Sequence, residues 1–237
     1  MKTKINFNYT FCRVEKKFLL NEIQYNKFIS DLIKHMTPDN FGLSTICNIY
    51  FDSENNDMIR ASLDKPEYKE KLRLRSYGVP NQNDTVFLEL KKKFDGIVFK
   101  RRISLLYKDA IEYIKIGKKP DIQNQILHEI DYAMNFYQPI PKLFLAYERI
   151  AYVDNDNSDL RITIDKNIRA RNFNLALDEG AYGSLILDKD LYLVEIKVLN
   201  AYPLWLVKIL SEQKLYPVSF SKYGKFYSEE IRGELNV

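Results

Sequence analysis

The sequence predicts an α+β fold in which seven or eight antiparallel strands form one sheet system, closed or nearly closed into a barrel, with helices inserted between them. Three observations predict it. Segments with a period of two recur along the chain and are rich in β-branched and aromatic residues. Two junctions between them carry hairpin signals, Asp95-Gly96 and the run DNDNSD at residues 154–159. Segments with apolar residues at helical spacing separate other strands, and no tandem repeat, low-complexity tract or long linker divides the chain. Residues 1–237 therefore read as one domain.

In order, residues 12–19 alternate and read as a strand. Residues 21–36 carry Ile23, Phe28, Ile29, Leu32, Ile33 and Met36 as a helical stripe, and Pro38 follows its end. Residues 44–51 are a strand and 57–63 a short helix. Strands follow at 71–77, 85–94 and 97–105, then helices at 108–116 and 121–137, with Pro139 and Pro141 ending that region. Residues 142–154, 160–169 and 191–199 are strands. Residues 201–214 are a helix with Pro203 in its first turn, and the tail from Ser219 is aromatic and basic.

Composition excludes several classes. The chain is 46% hydrophobic and 29% charged, which is ordinary for a soluble globular protein, and its net charge of +4 does not by itself argue for nucleic acid. Cys12 and Cys47 form neither a disulfide framework nor a zinc-ligand pattern. The first residues lack the apolar core of a signal peptide, and no apolar run approaches the ~20 residues of a membrane span. The expectation is a soluble, cytoplasmic protein. His35 and His128 fall in helical segments and read as surface or packing residues. DNDNSD lacks the glycine and distal glutamate of a calcium loop and reads as a turn.

The charge is sorted by strand face. Residues at i, i+2 and i+4 of a strand share a face. Arg13, Glu15 and Lys17 align, as do Lys71, Arg73 and Arg75 opposite Leu72 and Leu74. Glu89 and Lys91 share a face with Phe87, and Lys100 and Arg102 share one with Val98 and Ser104. Tyr147 aligns with Arg149; Arg161, Thr163 and Asp165 align; Glu195 aligns with Lys197. A charged strand face is ordinarily solvated, with the apolar face forming the core. Here the charged faces are cation-rich, whereas a solvated face mixes signs. The helices also need apolar partners, which the outer face of a barrel supplies. The charged faces then line the interior, whose natural occupant is a polyanion such as a phosphate chain. A few carboxylates among the cations would hold a divalent metal bridging phosphate oxygens.

The ordered set RVEKKFLL, YFDSEN, SLDKPEYKEKLRLRSYG, LELKKK, FKRRISL, YERIAY, RITIDKNI, LVEIKV and SFSKYGKFY resembles the polyphosphate polymerase (VTC) domain, from about Arg13 to Tyr227. That domain belongs to the triphosphate tunnel metalloenzyme, or CYTH-like, superfamily. The resemblance implies an eight-stranded antiparallel β-barrel forming a tunnel, with helices packed outside. It implies an enzyme that transfers the γ-phosphoryl group of ATP to a growing polyphosphate chain with Mn²⁺ or Mg²⁺. By position, Lys71, Arg73 and Arg75 resemble triphosphate ligands, and Lys91, Lys100, Arg102, Arg149 and Arg161 further tunnel cations. Glu195 resembles the metal-binding glutamate, with Glu15 or Glu89 beside it. Ser221 and Lys222 match a Ser-Lys pair near the phosphates, Tyr147 adds a phosphate donor, and Arg13, Lys17 and Lys197 complete the substrate-binding cations.

Tunnel enzymes that hydrolyse triphosphate usually open with ExExK; here Arg13 takes the first place, which favours the polymerase branch. From its length the chain is expected to lack the N-terminal inositol-phosphate sensor domain and the membrane anchor common in eukaryotic members. Alternatives are a triphosphatase on the same tunnel, or a non-catalytic module that binds polyphosphate or nucleotide. The expected partners are ATP and polyphosphate, with a membrane-protein partner left open. Nucleic acid is not expected, because a closed tunnel does not admit a duplex and the aromatic residues do not interleave with the basic ones.

Overall fold

The computed structural model describes residues 14–231, except 65, 96 and 156–158. Cys12, Arg13, Gly96 and the middle of DNDNSD lie outside the described residues.

Eight strands follow one hydrogen-bonded path, and every pairing is antiparallel. They are β1 (Val14–Asn21), β3 (Ser44–Asp52), β4 (Tyr68–Tyr77), β5 (Thr85–Phe94), β6 (Ile97–Leu106), β7 (Ile140–Asp154), β8 (Arg161–Arg171) and β10 (Leu191–Val198), in the order β1-β10-β8-β7-β3-β4-β5-β6. Two short strands pair beside the path, β2 (Met36–Pro38) on β7 and β9 (Ser184–Leu185) on β8. The sheet curls into a tunnel-like α+β fold but is not closed by hydrogen bonds. Lys91 Nζ on β5, one strand in from the β6 edge, comes within 3.8 Å of Glu15 Oε2 on the other edge strand, β1.

The apolar strand faces point outward under the helices, as the strand pattern requires. Leu72, Leu74, Leu88, Leu90 and Ile103 lie under α3 (Tyr107–Ile116) and α4 (Gln125–Tyr137). Phe18, Ile162, Ile164, Val194 and Ile196 lie under α1 (Glu22–Leu32) and α5 (Leu204–Glu212). Side-chain caps set the starts of α1 and α4. Asn21 and Gln24 form a reciprocal capping box at α1. The Asn124 side chain accepts the N–H of Leu127 at α4, shortening that helix relative to the expected start at 121. Pro203 is the N-cap of α5 rather than a residue of its first turn. The stripe at 21–36 stops at Leu32, and Met36 turns into β2. His35 is therefore outside α1 and stacks on Trp205 at 4.4 Å, away from the charged faces.

The interior is part apolar and part charged. The tail forms α6 (Lys222–Phe226) and a further helical turn, and it enters the tunnel instead of covering it. Tyr223, Phe226 and Tyr227 pack inside against Ile46, Tyr50, Leu143, Leu145 and Leu193. At Gly224 an added Cβ would come within 3.2 Å of Leu63 Cδ2 and Ser221 Oγ, so the tail packs closely here and a larger residue would make these side chains shift by a few tenths of an ångström.

Asp52 anchors α2 (Asp57–Leu63) to β3. Its carboxylate is fully buried and accepts the N–H groups of Ser53, Met58 and Ile59 at 2.8, 2.8 and 2.9 Å. Asp52→Ala orphans all three donors and is expected to cost about 1–2 kcal/mol, read as a shift of the urea midpoint at unchanged slope. A shift below a few tenths would contradict the assignment.

Candidate functional site

Three same-face side chains of β4 start the site. Lys71 Nζ donates to Ser221 Oγ at 3.0 Å. Arg73 donates from Nε to Glu89 Oε2 at 2.7 Å and from Nη1 to the Tyr50 hydroxyl at 3.0 Å. Arg75 donates from Nε to Asn48 Oδ1 at 2.9 Å and from Nη2 to the Tyr147 hydroxyl at 3.3 Å. The neighbouring strands supply Lys91, register partner of Lys71, and Lys100, whose Nζ lies 2.6 Å from Glu89 Oε1. From the opposite wall, Arg149 grips Asp165 through Nε and Nη2 at 2.6 and 2.8 Å. Lys222 Nζ reaches the same carboxylate at 2.6 Å and lies 4.5 Å from the Tyr147 ring centroid. On β1, Lys17 Nζ donates to the Phe220 carbonyl at 2.8 Å.

The cations fall into two kinds. Arg73, Arg75 and Lys100 surround Glu89, while Arg149 and Lys222 share Asp165. These are compensated pairs. Burial pushes the Glu89 carboxyl up, but Arg73, Arg75 and Lys100 outweigh it and hold it at about 2. Asp165 is likewise held down by Arg149 and Lys222 against burial. Lys17, Lys71 and Lys91 are different. Lys71 and Lys17 hydrogen-bond neutral oxygens, and Glu15 stands 3.9 Å from Lys17 and 3.8 Å from Lys91. Burial, and then the like charges of Lys17 and Lys91, push the Lys71 ammonium down to about 8 despite attraction to Tyr50. Burial also lowers Lys17. This trio is a positive seat short of anions.

That imbalance has a consequence for pH. The unfolded chain holds the Lys71 proton up to its ordinary value near 10.5, whereas the native chain releases it from about 8. Between those values the unfolded state binds more protons, so this group makes stability rise with pH. A phosphate chain on the seat reverses the preference by favouring the ammonium. Tripolyphosphate affinity is therefore expected to fall as pH rises from 8 to 10. Lys71→Met is expected to raise ligand-free stability by on the order of 1 kcal/mol and to lose most ligand-induced thermal stabilisation. A pH-independent affinity, titrated by calorimetry, would count against the seat.

The carboxylates are also of two kinds. Glu195 carries an ion pair to Lys197 at 2.9 Å, and its other oxygen lies 4.0 Å from Arg149 Nη2. Burial pushes Glu195 up, and the cations Lys197, Lys17 and Lys222 more than reverse this, leaving it well below the usual range. Its register partner Thr163 has a buried hydroxyl without a hydrogen-bond partner among the described residues. Glu15, Glu195 and Thr163 thus offer oxygen donors at one place. Glu89 is surrounded by cations, with Arg73, Arg75 and Lys100 within 2.6 to 3.8 Å of its oxygens. Among the described residues no cluster of three or more Asp, Glu, His or Cys side chains forms a cage, so water and ligand oxygens would complete a cation's shell.

Two expected residues stand apart. Arg161 is half exposed and pairs with Asp39 at 2.8 Å, and Arg102 is exposed and lies over Phe87 at 4.5 Å. Arg13 lies outside the described residues. Tyr50 is not among the residues expected from sequence, although period two from Ile46 through Asn48 places it on the interior face. Burial raises its hydroxyl, but Arg73, Arg75 and Lys71 bring it down to about 7.

The family model of the VTC domain matches residues 12–229. Solved structures share the fold at low identity. A candidate adenylate cyclase from Bacillus halodurans superposes with a TM-score of 0.56 at 14% identity, covering 88% of this chain and 93% of its own. A candidate adenylyl cyclase from Hippeastrum, described as having a dominant triphosphatase activity, superposes with a TM-score of 0.55 at 16% identity, covering 91% and 95%.

Proposed function

The chain belongs to the VTC domain family, and from that premise we propose that it is an ATP-dependent polyphosphate polymerase. The observation that carries the reading is the anion-deficient trio Lys17, Lys71 and Lys91, set beside the compensated arginines in a curled sheet. A phosphate chain is the ligand whose charge density and oxygen spacing satisfy all of them.

Arg73 and Arg75 each hold one face to the tunnel while their carboxylate and hydroxyl partners fix the guanidinium plane. Such preorganised donors stabilise the charge that spreads over the equatorial oxygens during phosphoryl transfer. A terminal phosphate oxygen of the growing chain attacks the γ-phosphorus of ATP. The new P–O bond forms as the bond to the β–γ bridging oxygen breaks, and ADP leaves. The nucleophile is already ionised at pH 7, so no protein base is required. The histidines agree with this, His35 stacking on Trp205 and His128 lying exposed on α4. Glu15 and Glu195, with the Thr163 hydroxyl, would hold Mn²⁺ or Mg²⁺, which would supply positive charge to neutralise the leaving group. Glu89 serves as the hub that orients Arg73, Arg75 and Lys100.

Glu195→Gln tests the division of roles. It is expected to lower polymer synthesis by on the order of a hundredfold while metal-free tripolyphosphate binding persists. Unchanged polymer yield would sink the assignment. The second reading, hydrolysis of triphosphate on the same seat, is supported by the activity named for the Hippeastrum neighbour and opposed by Arg13 in place of the first glutamate. It predicts orthophosphate as the sole inorganic product.

A further inference from the structure

We propose that Tyr77 and Phe87 form the subsite for the base of a nucleoside triphosphate, so that the nucleotide lies with its base at the Tyr77 mouth and its phosphates running from Arg75 toward Lys71. The proposal rests on the reading of the seat as a triphosphate site and adds the orientation of its ligand.

The row that presents Lys71, Arg73 and Arg75 continues at the same period to Tyr77, the last residue of β4. Register confirms the face: Tyr77 stands opposite Ile46, which packs in the tunnel interior, whereas Ser76 stands opposite Cys47 in the outer core. Phe87 is the register partner of Arg75 and belongs to the same inner face as Glu89 and Lys91. The two rings meet edge to face, with centroids 5.7 Å apart and planes at 87°. Arg102, one of the cations outside the phosphate seat, lies over Phe87 at 4.5 Å. Three cations thus run straight into an aromatic pair, with a further guanidinium at its side.

Tyr77 is 55% exposed although it stands on the inner face at a fixed strand end. Gly78 follows it in the left-handed region at φ 81°, and its N–H is bound by the Thr45 carbonyl at 2.7 Å. The Ser76 hydroxyl donates to the Gly78 carbonyl at 2.7 Å. The mouth is therefore held in place, and a planar base can stack on the open Tyr77 face without rearrangement. Base–aromatic stacking is tolerant of base identity. The subsite therefore takes nucleoside triphosphates as a class and distinguishes them from inorganic tripolyphosphate.

The experiment is paired calorimetric titration of ATP and inorganic tripolyphosphate into wild type, Tyr77→Ala and Tyr77→Phe. Tyr77→Ala is expected to weaken ATP binding by on the order of tenfold and to leave tripolyphosphate affinity unchanged. Tyr77→Phe keeps the ring and is expected to bind both as wild type does. Equal weakening of both ligands, or no weakening of ATP, overturns the subsite while leaving the phosphate seat standing. Wild-type protein that binds neither ligand overturns the seat itself, and the subsite with it.

Discussion

Replacing Arg73 by alanine is expected to lower ATP turnover at least a hundredfold while the protein stays folded. The guanidinium is pinned between Glu89 and the Tyr50 hydroxyl, so its remaining N–H groups are aimed before any ligand arrives. Losing one such preorganised donor costs on the order of 10²–10³ in rate. The fold should survive because Glu89 is not abandoned: Lys100 stays at 2.6 Å and Arg75 at 3.8 Å. Thermal melts and turnover measured on the same preparation check both halves. Wild-type turnover would remove Arg73 from the machinery, and an unfolded variant would show that the Glu89 hub depends on it.

Asp165→Asn has the largest expected effect on stability. Asp165 is fully buried and is the shared counter-ion of Arg149 and Lys222, at 2.6 to 2.8 Å. Asparagine keeps the shape and removes the charge, leaving Arg149 and Lys222 with Glu195, 4.0 Å from Arg149, as their nearest carboxylate. Breaking a buried pair from one side costs about 3–5 kcal/mol. The wild-type pH dependence has the matching sign. Arg149 and Lys222 hold the Asp165 carboxyl below its ordinary value of 3.8, so its contribution is present above that value. It is lost as pH falls through the native value. The variant should gain more stability from tripolyphosphate than wild type does, because the ligand supplies the missing negative charge. A destabilisation below about 1 kcal/mol by chemical denaturation would contradict the pairing.

Much of the fold was legible because strand period carries burial directly. The alternation in residues 71–77 and 191–199 placed leucines and valines under helices and charges inside, as the structure has them. Helix ends were less legible, since caps at Asn124 and Pro203 override apolar stripes that run past them. The short strands β2 and β9 have too few residues to show a period. The tail read only as aromatic and basic. Its entry into the tunnel depends on contacts across 150 or more residues, such as Lys71 to Ser221, which no local pattern encodes. Within the site, the charges announced themselves by type. Their division into compensated pairs and an open trio did not, because Glu89 and Glu195 look alike in sequence and differ only in which cations surround them. Tyr50 was hidden because tyrosine on a strand ordinarily signals packing. The aromatic pair at Tyr77 and Phe87 was hidden because it forms across two strands, beside the cations rather than between them.

Phosphorus NMR of the purified protein incubated with ATP and Mn²⁺ tests the central claim most directly, because chain-internal phosphates and orthophosphate resonate apart. The account predicts growth of the internal-phosphate signal together with ADP, abolished by Arg73→Ala. Orthophosphate and ADP without internal phosphate, or no turnover of ATP, would contradict it.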